Sequence, residues 1–223
     1  MTIPSIRARS AEVFSRIADA AVRADRNPED IGVVAVAKGR SPGQVGEVSM
    51  AGIKHLGVYA ADEFEEKCLR HRELFWHVLG AVDRPDLPRV AQSAAMVQSI
   101  DGLWVAGALD KAVRFASHSR SLDVLIEVQL TPNQHGSPQA QVVPLARFIA
   151  NECEHLRFRG LSCRRPASLT PLSAYGGLRV LGDEVSEALD APISVLSMGD
   201  SRDYEEAIAL GATHVRLGRA LFG

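Results

Sequence analysis

Cysteine is scarce in this chain of 223 residues: Cys68, Cys153 and Cys163 lie far apart and form no Cys-x-x-Cys pair. An odd, sparse set excludes a disulfide framework and points to a reducing compartment, with the thiols acting as apolar fillers. No His/Cys cluster has the close ligand spacing of a structural zinc site, so no metal is expected. Strong charge of one sign is missing too. The formal net charge is −2, with both signs interspersed, which speaks against nucleic acid or an acidic membrane surface as partner. No run is long and apolar enough to span a bilayer. The opening Met1-Thr2-Ile3-Pro4-Ser5 leads into a charged amphipathic stretch and not into an apolar signal core, which makes the cytoplasm the expected location. There is no linker and no low-complexity tract, so residues 1–223 read as a single domain.

What is present is a strict alternation. Apolar residues make up 46% of the chain, enough for a substantial core. Ile6, Val13, Phe14, Ile17 and Ala21 recur at helical spacing, predicting an extra N-terminal helix that ends near Asn27-Pro28. Ile31–Ala37 is a continuous apolar run, the mark of a strand buried on both faces. Ser41-Pro42 signals the next helix start, and Ala51-Gly52 its stop. Further strands are expected at Lys54–Val58, Phe75–Leu79, Met96–Ile100, Leu122–Gln129, Arg157–Cys163, Ile193–Met198 and His214–Leu217. Helical patterns such as Asp101–His118 and Tyr204–Leu210 fill the gaps. About eight strands alternating with helices predict an α/β fold, a single (β/α)8 TIM-type barrel. Two stretches rich in Pro, Ser and Gly, Thr131–Pro138 and Arg164–Gly177, fall where barrels grow functional loops.

Barrels carry their chemistry at the C-terminal ends of the strands. Lys38 then ends the first strand and His77 lies in the third. Ser197, Met198, Gly199 and Ser201 follow the seventh, and Arg216, Gly218 and Arg219 close the eighth. Phosphate sites recur in the last two loops, where free backbone N–H groups, a Ser201 hydroxyl and a helix start suit a dianion. The plain alternative makes Ser201 the cap of its own helix and Gly218 a turn residue. Lys38, emerging beside apolar strand residues, would lose solvation and gain nucleophilicity, or else be a hydrated lysine at a strand end. Arg216 would donate to a pyridine nitrogen, or serve as a salt-bridge partner on the rim.

Val34-Ala-Val-Ala-Lys38, Trp76-His-Val-Leu-Gly80, Gln98-Ser-Ile-Asp101, Arg159-Gly-Leu161, Leu196-Ser-Met-Gly199 and the run Gly211–Gly223 resemble, in order, the motifs of the pyridoxal-phosphate homeostasis protein family. The resemblance implies a barrel like the N-terminal domain of alanine racemase, with pyridoxal 5'-phosphate as cofactor. It implies that Lys38 holds the cofactor as a Schiff base and that Arg216 faces the pyridine nitrogen. Ser201 and the backbone at Gly218 and Arg219 would bind phosphate, Met198 and Gly199 would shape the wall, and His77 would lie near the cofactor. The sequence departs from the family where Gly57-Val58-Tyr59-Ala60 replaces Gly-Glu-Asn-Tyr and where Gly39 replaces a hydroxyl residue. It departs again at Asp83–Asp86, at Gln129 and at Arg219.

The function so implied is a binder that buffers the cofactor without catalysis and delivers it to apo-enzymes, as a monomer or weak dimer. A racemase-like enzyme is the alternative. It would need a second acid/base opposite Lys38, for which Tyr59 and Tyr175 are the nearby candidates. A paralogue that has lost the cofactor is the third reading.

Overall fold

The computed structural model describes residues 4–59, 67–117 and 119–223. Its strands are β1 (Gly32–Val36), β2 (His55–Val58), β3 (Phe75–Val78), β4 (Met96–Ile100), β5 (Leu122–Gln129), β6 (Ser137–Pro138), β7 (Leu156–Ser162), β8 (Val195–Ser197) and β9 (His214–Leu217). All pair in parallel. β1 joins β2 on one side and β9 on the other, and β4 joins β5, so eight strands close into a barrel. The two-residue β6 stands outside that wall, paired only to the end of β5, inside a stretch expected to be loop. The helices are α1 (Ile6–Arg23), α2 (Pro42–Met50), α3 (Leu87–Ser93), α4 (Leu103–Ala116), α5 (Gln139–Glu152), α6 (Gly177–Leu189), α7 (Tyr204–Ala209) and α8 (Arg219–Phe222). His118, the last residue of one expected helix, and Ala60 lie outside the described residues. None of the helices among the described residues is long and apolar enough to cross a membrane.

Local signals account for the boundaries. Ser41 and Gln44 form a reciprocal capping box, with Pro42 at the first helical turn, which starts α2. α1 ends at Arg23, earlier than expected. Arg26 then turns back and donates to the carbonyls of Ile208 and Ala212 at 2.8 and 2.7 Å, covering the end of α7. Arg16 and Arg23 hold Glu205 from the same side.

Alternation along each strand sorts residues between two cores. Outward residues such as Val33, Ala35, Leu56, Val97, Ile126 and Leu161 pack under the helices in one continuous shell. The inner space holds a small separate cluster of Met96, Leu125 and Val195. The shell also takes in the three free cysteines, and burial raises Cys68 and Cys163 to about 12 and Cys153 to about 11. β7 closes against its neighbours through a bulge, where the register with β5 shifts at Val124/Leu125. Gly160 sits there at φ +145, and a Cβ would meet the Val195 carbonyl oxygen at 2.0 Å. Only glycine serves at this seam.

Candidate functional site

The mouth at the C-terminal ends of the strands holds a cleft lined by Tyr59, Leu79, Gln98, Glu127, Ser162, Arg164 and Arg216. Lys38 stands beside it. β1 ends at Val36, so the lysine lies two residues beyond the strand rather than at its last position. Gly39 follows with φ +64, turning the chain away. The loss of solvation expected from a strand-end lysine is not seen: Lys38 is exposed, with Nζ 6.0 Å from the centroid of the Tyr59 ring. The adjoining carbonyl of Ala37 accepts from buried Lys67 at 2.7 Å, which ties the rim to the segment after β2.

Arg216 is buried, and no carboxylate among the described residues lies within salt-bridge reach of it. Its Nη1 donates to the carbonyl and hydroxyl oxygens of Ser197 at 2.6 and 2.7 Å, and Nη2 to the Cys163 carbonyl at 2.5 Å. The rim salt bridge considered above is therefore replaced by three neutral acceptors. The guanidinium keeps further N–H donors for the cleft.

Ser201 joins the two final loops. Its hydroxyl accepts from the N–H groups of Gly218 and Ala220 at 3.2 and 3.1 Å, so it caps α8. It does not cap its own helix: Asp203 precedes α7, and its carboxylate accepts from Asp200 N. Asp203 is held by Arg165 at 2.6 Å. Exposed Arg219 opens α8 directly beside this contact. A serine hydroxyl, a helix start and an exposed guanidinium make a donor set that fits a phosphate dianion. With the Lys38 amine and the Arg216 guanidinium, the donors at the mouth match the aldehyde, ring nitrogen and phosphate of pyridoxal phosphate.

Other expected residues lie elsewhere. Met198 is fully buried in the outer shell, and Gly199 turns the chain at φ +91 with its carbonyl accepting from Arg216 N. His77 is buried within the barrel, bonded to Gln98 at 2.8 Å and to His55 at 2.9 Å. Burial, with repulsion from His55 and His214, holds it well below the ordinary histidine value. Tyr175 packs in the core, away from any role as a solvent-facing base.

The opposite side of the mouth carries charged residues outside the expected set. Buried Glu127, on β5, accepts from Arg164 at 2.8 Å and pairs with His135 at 3.0 Å. His135 also faces Asp101 at 3.1 Å. β5 lies four strands from β1 in either direction around the barrel, so this charged group stands across from Lys38. The signal available was a glutamate between the apolar residues Ile126 and Val128 of the strand.

The family model for the alanine racemase N-terminal domain matches residues 15–223. A pyridoxal phosphate homeostasis protein of Pseudomonas aeruginosa is 30% identical over 96% of this chain and 93% of its own. One from Escherichia coli K12 is 30% identical over 96% and 94%. Among solved structures, PipY of Synechococcus elongatus PCC7942 with PLP bound superimposes with a TM-score of 0.82 at 26% identity, covering 95% of this chain and 100% of that one. Alanine racemase of Clostridium difficile 630 shares the fold, with a TM-score of 0.77 at 14% identity, but the match covers only 56% of that longer chain. The chain therefore belongs to the pyridoxal phosphate homeostasis protein family, built on the alanine racemase N-terminal domain.

Proposed function

We propose that this chain is a single pyridoxal 5'-phosphate-binding unit that holds the cofactor on Lys38 as a Schiff base, buffers it and passes it to apo-enzymes in the cytoplasm. The observation that carries the reading is the convergence at one mouth of Lys38, the three-point-anchored Arg216 and the Ser201–Gly218 contact. The relatives' names and the PLP-bound PipY structure support it.

Each side chain has a distinct task. Lys38 offers an amine to the aldehyde. Arg216, always charged, donates to the ring nitrogen and keeps it unprotonated, which weakens the ring as an electron sink. That favours holding the cofactor over using it. Ser201 and the start of α8 anchor the phosphate, with Arg219 at the edge. His77 supports the wall from within and does not reach solvent. The protein acts as a monomer or weak dimer. The test is an absorbance spectrum with and without added pyridoxal phosphate, followed by borohydride reduction and peptide mass mapping. A phosphopyridoxyl mass on Lys38 is expected, and a protein that stays colourless and unlabelled overturns the assignment. Incubating the loaded protein with L-amino acids in deuterated water separates carrier from racemase, since α-proton exchange is expected only of the enzyme.

A further inference from the structure

Five side chains from five strands form one run of hydrogen bonds through the barrel. Arg216 Nη1 reaches Ser197 Oγ at 2.7 Å, and Ser197 Oγ reaches Gln98 Oε1 at 2.7 Å. Gln98 Nε2 reaches His77 Nδ1 at 2.8 Å, and His77 Nε2 meets His55 Nδ1 at 2.9 Å. These are full-strength distances.

The direction of the run follows from one residue. A guanidinium only donates. Ser197 Oγ must therefore accept from Arg216, which leaves its own proton for Gln98 Oε1. The amide is then fixed with its NH2 toward His77, so Nδ1 of His77 accepts and the ring proton sits on Nε2. His55 Nδ1 accepts in turn. The relay needs a neutral His77, and burial favours that form. The Gln98 backbone is pinned as well, its carbonyl accepting from Ser162 Oγ at 2.5 Å. Gln98 also lines the mouth cleft, so it stands where the inner run meets the site.

We propose, resting on the cofactor reading above, that Gln98 is a positioning residue for the pyridoxal phosphate site: held by His77, it acts through Ser197 to fix the Arg216 guanidinium against the cleft. Removing it frees the Ser197 hydroxyl to rotate and leaves one acceptor of Arg216 undefined, although nothing on Arg216 itself has changed.

Two measurements test this. In the cofactor-free protein, the imidazole nitrogen chemical shifts of His77 are expected to show the single Nε2-protonated tautomer. Ser197→Ala touches neither ring, yet the relay requires its loss to mix the His77 tautomers. Unmoved shifts in a folded S197A protein overturn the proposal. In the loaded protein, Gln98→Leu is expected to keep the borohydride-fixed mass on Lys38 while binding pyridoxal phosphate roughly tenfold more weakly with a displaced visible band. An unchanged affinity and band overturn the proposal. Should Q98L fail to fold, His77→Gln, which retains an acceptor for the amide, is expected to bind near wild-type strength while His77→Leu does not. Equal binding by the two overturns it. A wild-type protein that takes up no cofactor sinks the cofactor reading instead, and the tautomer comparison still decides the relay.

Discussion

The hydroxyl of Ser201 accepts the N–H of Gly218 at 3.2 Å, so a side chain from the loop after β8 caps the helix that begins after β9. Removing that acceptor strips the helix start of its partner and, with it, would loosen the proposed phosphate anchor. Ser201→Ala is expected to cost about 1 kcal/mol, a fall of about 2–4 °C in the melting midpoint for a chain of this size. Pyridoxal phosphate should raise that midpoint less in S201A than in wild type. Equal ligand-induced stabilisation in thermal melts would show that Ser201 is a cap and nothing more.

Lys38 is exposed, and among the described residues its amine lies over the face of Tyr59. Truncating it should therefore leave the barrel standing. Lys38→Ala is expected to melt within about 0.5 kcal/mol of wild type, as surface changes do, and to lose the visible absorbance and the borohydride-fixed mass entirely. A phosphopyridoxyl label that migrates to Lys54 or Lys67 would place the reactive amine elsewhere.

Arg216 and Arg219 are both arginines near the mouth, and they should respond differently. Arg219 is exposed and open to solvent screening, so Arg219→Ser is expected to weaken cofactor binding by no more than about fivefold. Arg216 is buried and bridges Ser197 to the Cys163 carbonyl, a geometry that one ammonium cannot reproduce. Arg216→Lys should lower the melting midpoint and displace the absorbance band. A titration in which R219S loses affinity more than R216K reverses the assignment of roles.

Gly160 permits a close approach in the barrel wall, facing the Val195 carbonyl at the bulge of β7. Gly160→Ala combines a backbone conformation that L-residues avoid with a direct clash against a main-chain oxygen. The expected loss is about 3 kcal/mol or more, measured by urea unfolding. A stability near wild type would mean that the seam relaxes without breaking the β7–β8 pairing.

The barrel was legible because strands such as β1 are largely buried and read as local apolar runs between turn signals. Ends shifted by one or two residues, and one such shift mattered. β1 stops at Val36, so Lys38 emerges into solvent instead of lying against strand residues. β6 was not legible, since two residues pairing with the end of β5 carry no periodicity. The inner polar run was equally hidden. Gln98 bonds His77 on one side and Ser197 on the other, partners 21 and 99 residues distant. No local pattern announces a bond of that span. The mouth's acidic side escaped notice for the same reason, because Glu127 and Arg164 meet only once β5 and β7 lie side by side.

The histidines at the N-terminal end of the barrel set a pH limit on the fold. His214 lies against Gly32, with its ring centroid 6.4 Å from that of His55. Burial, then repulsion from His55, Arg216 and Arg159, pushes His214 down to about 4. An unfolded histidine titrates near 6.5. Between those values the unfolded chain binds a proton that the folded chain refuses, so stability is intact above pH 6.5 and falls as pH drops toward 4. For His214 alone the loss is on the order of 3 kcal/mol. His77 and His55, shifted the same way chiefly by burial, deepen it. Urea unfolding at pH 7 and pH 5 should show the decline, and His214→Gln, which keeps a partner for Thr213 but cannot titrate, should flatten part of it. A pH dependence identical in wild type and H214Q would mean that His214 takes up its proton inside the folded barrel as readily as outside it.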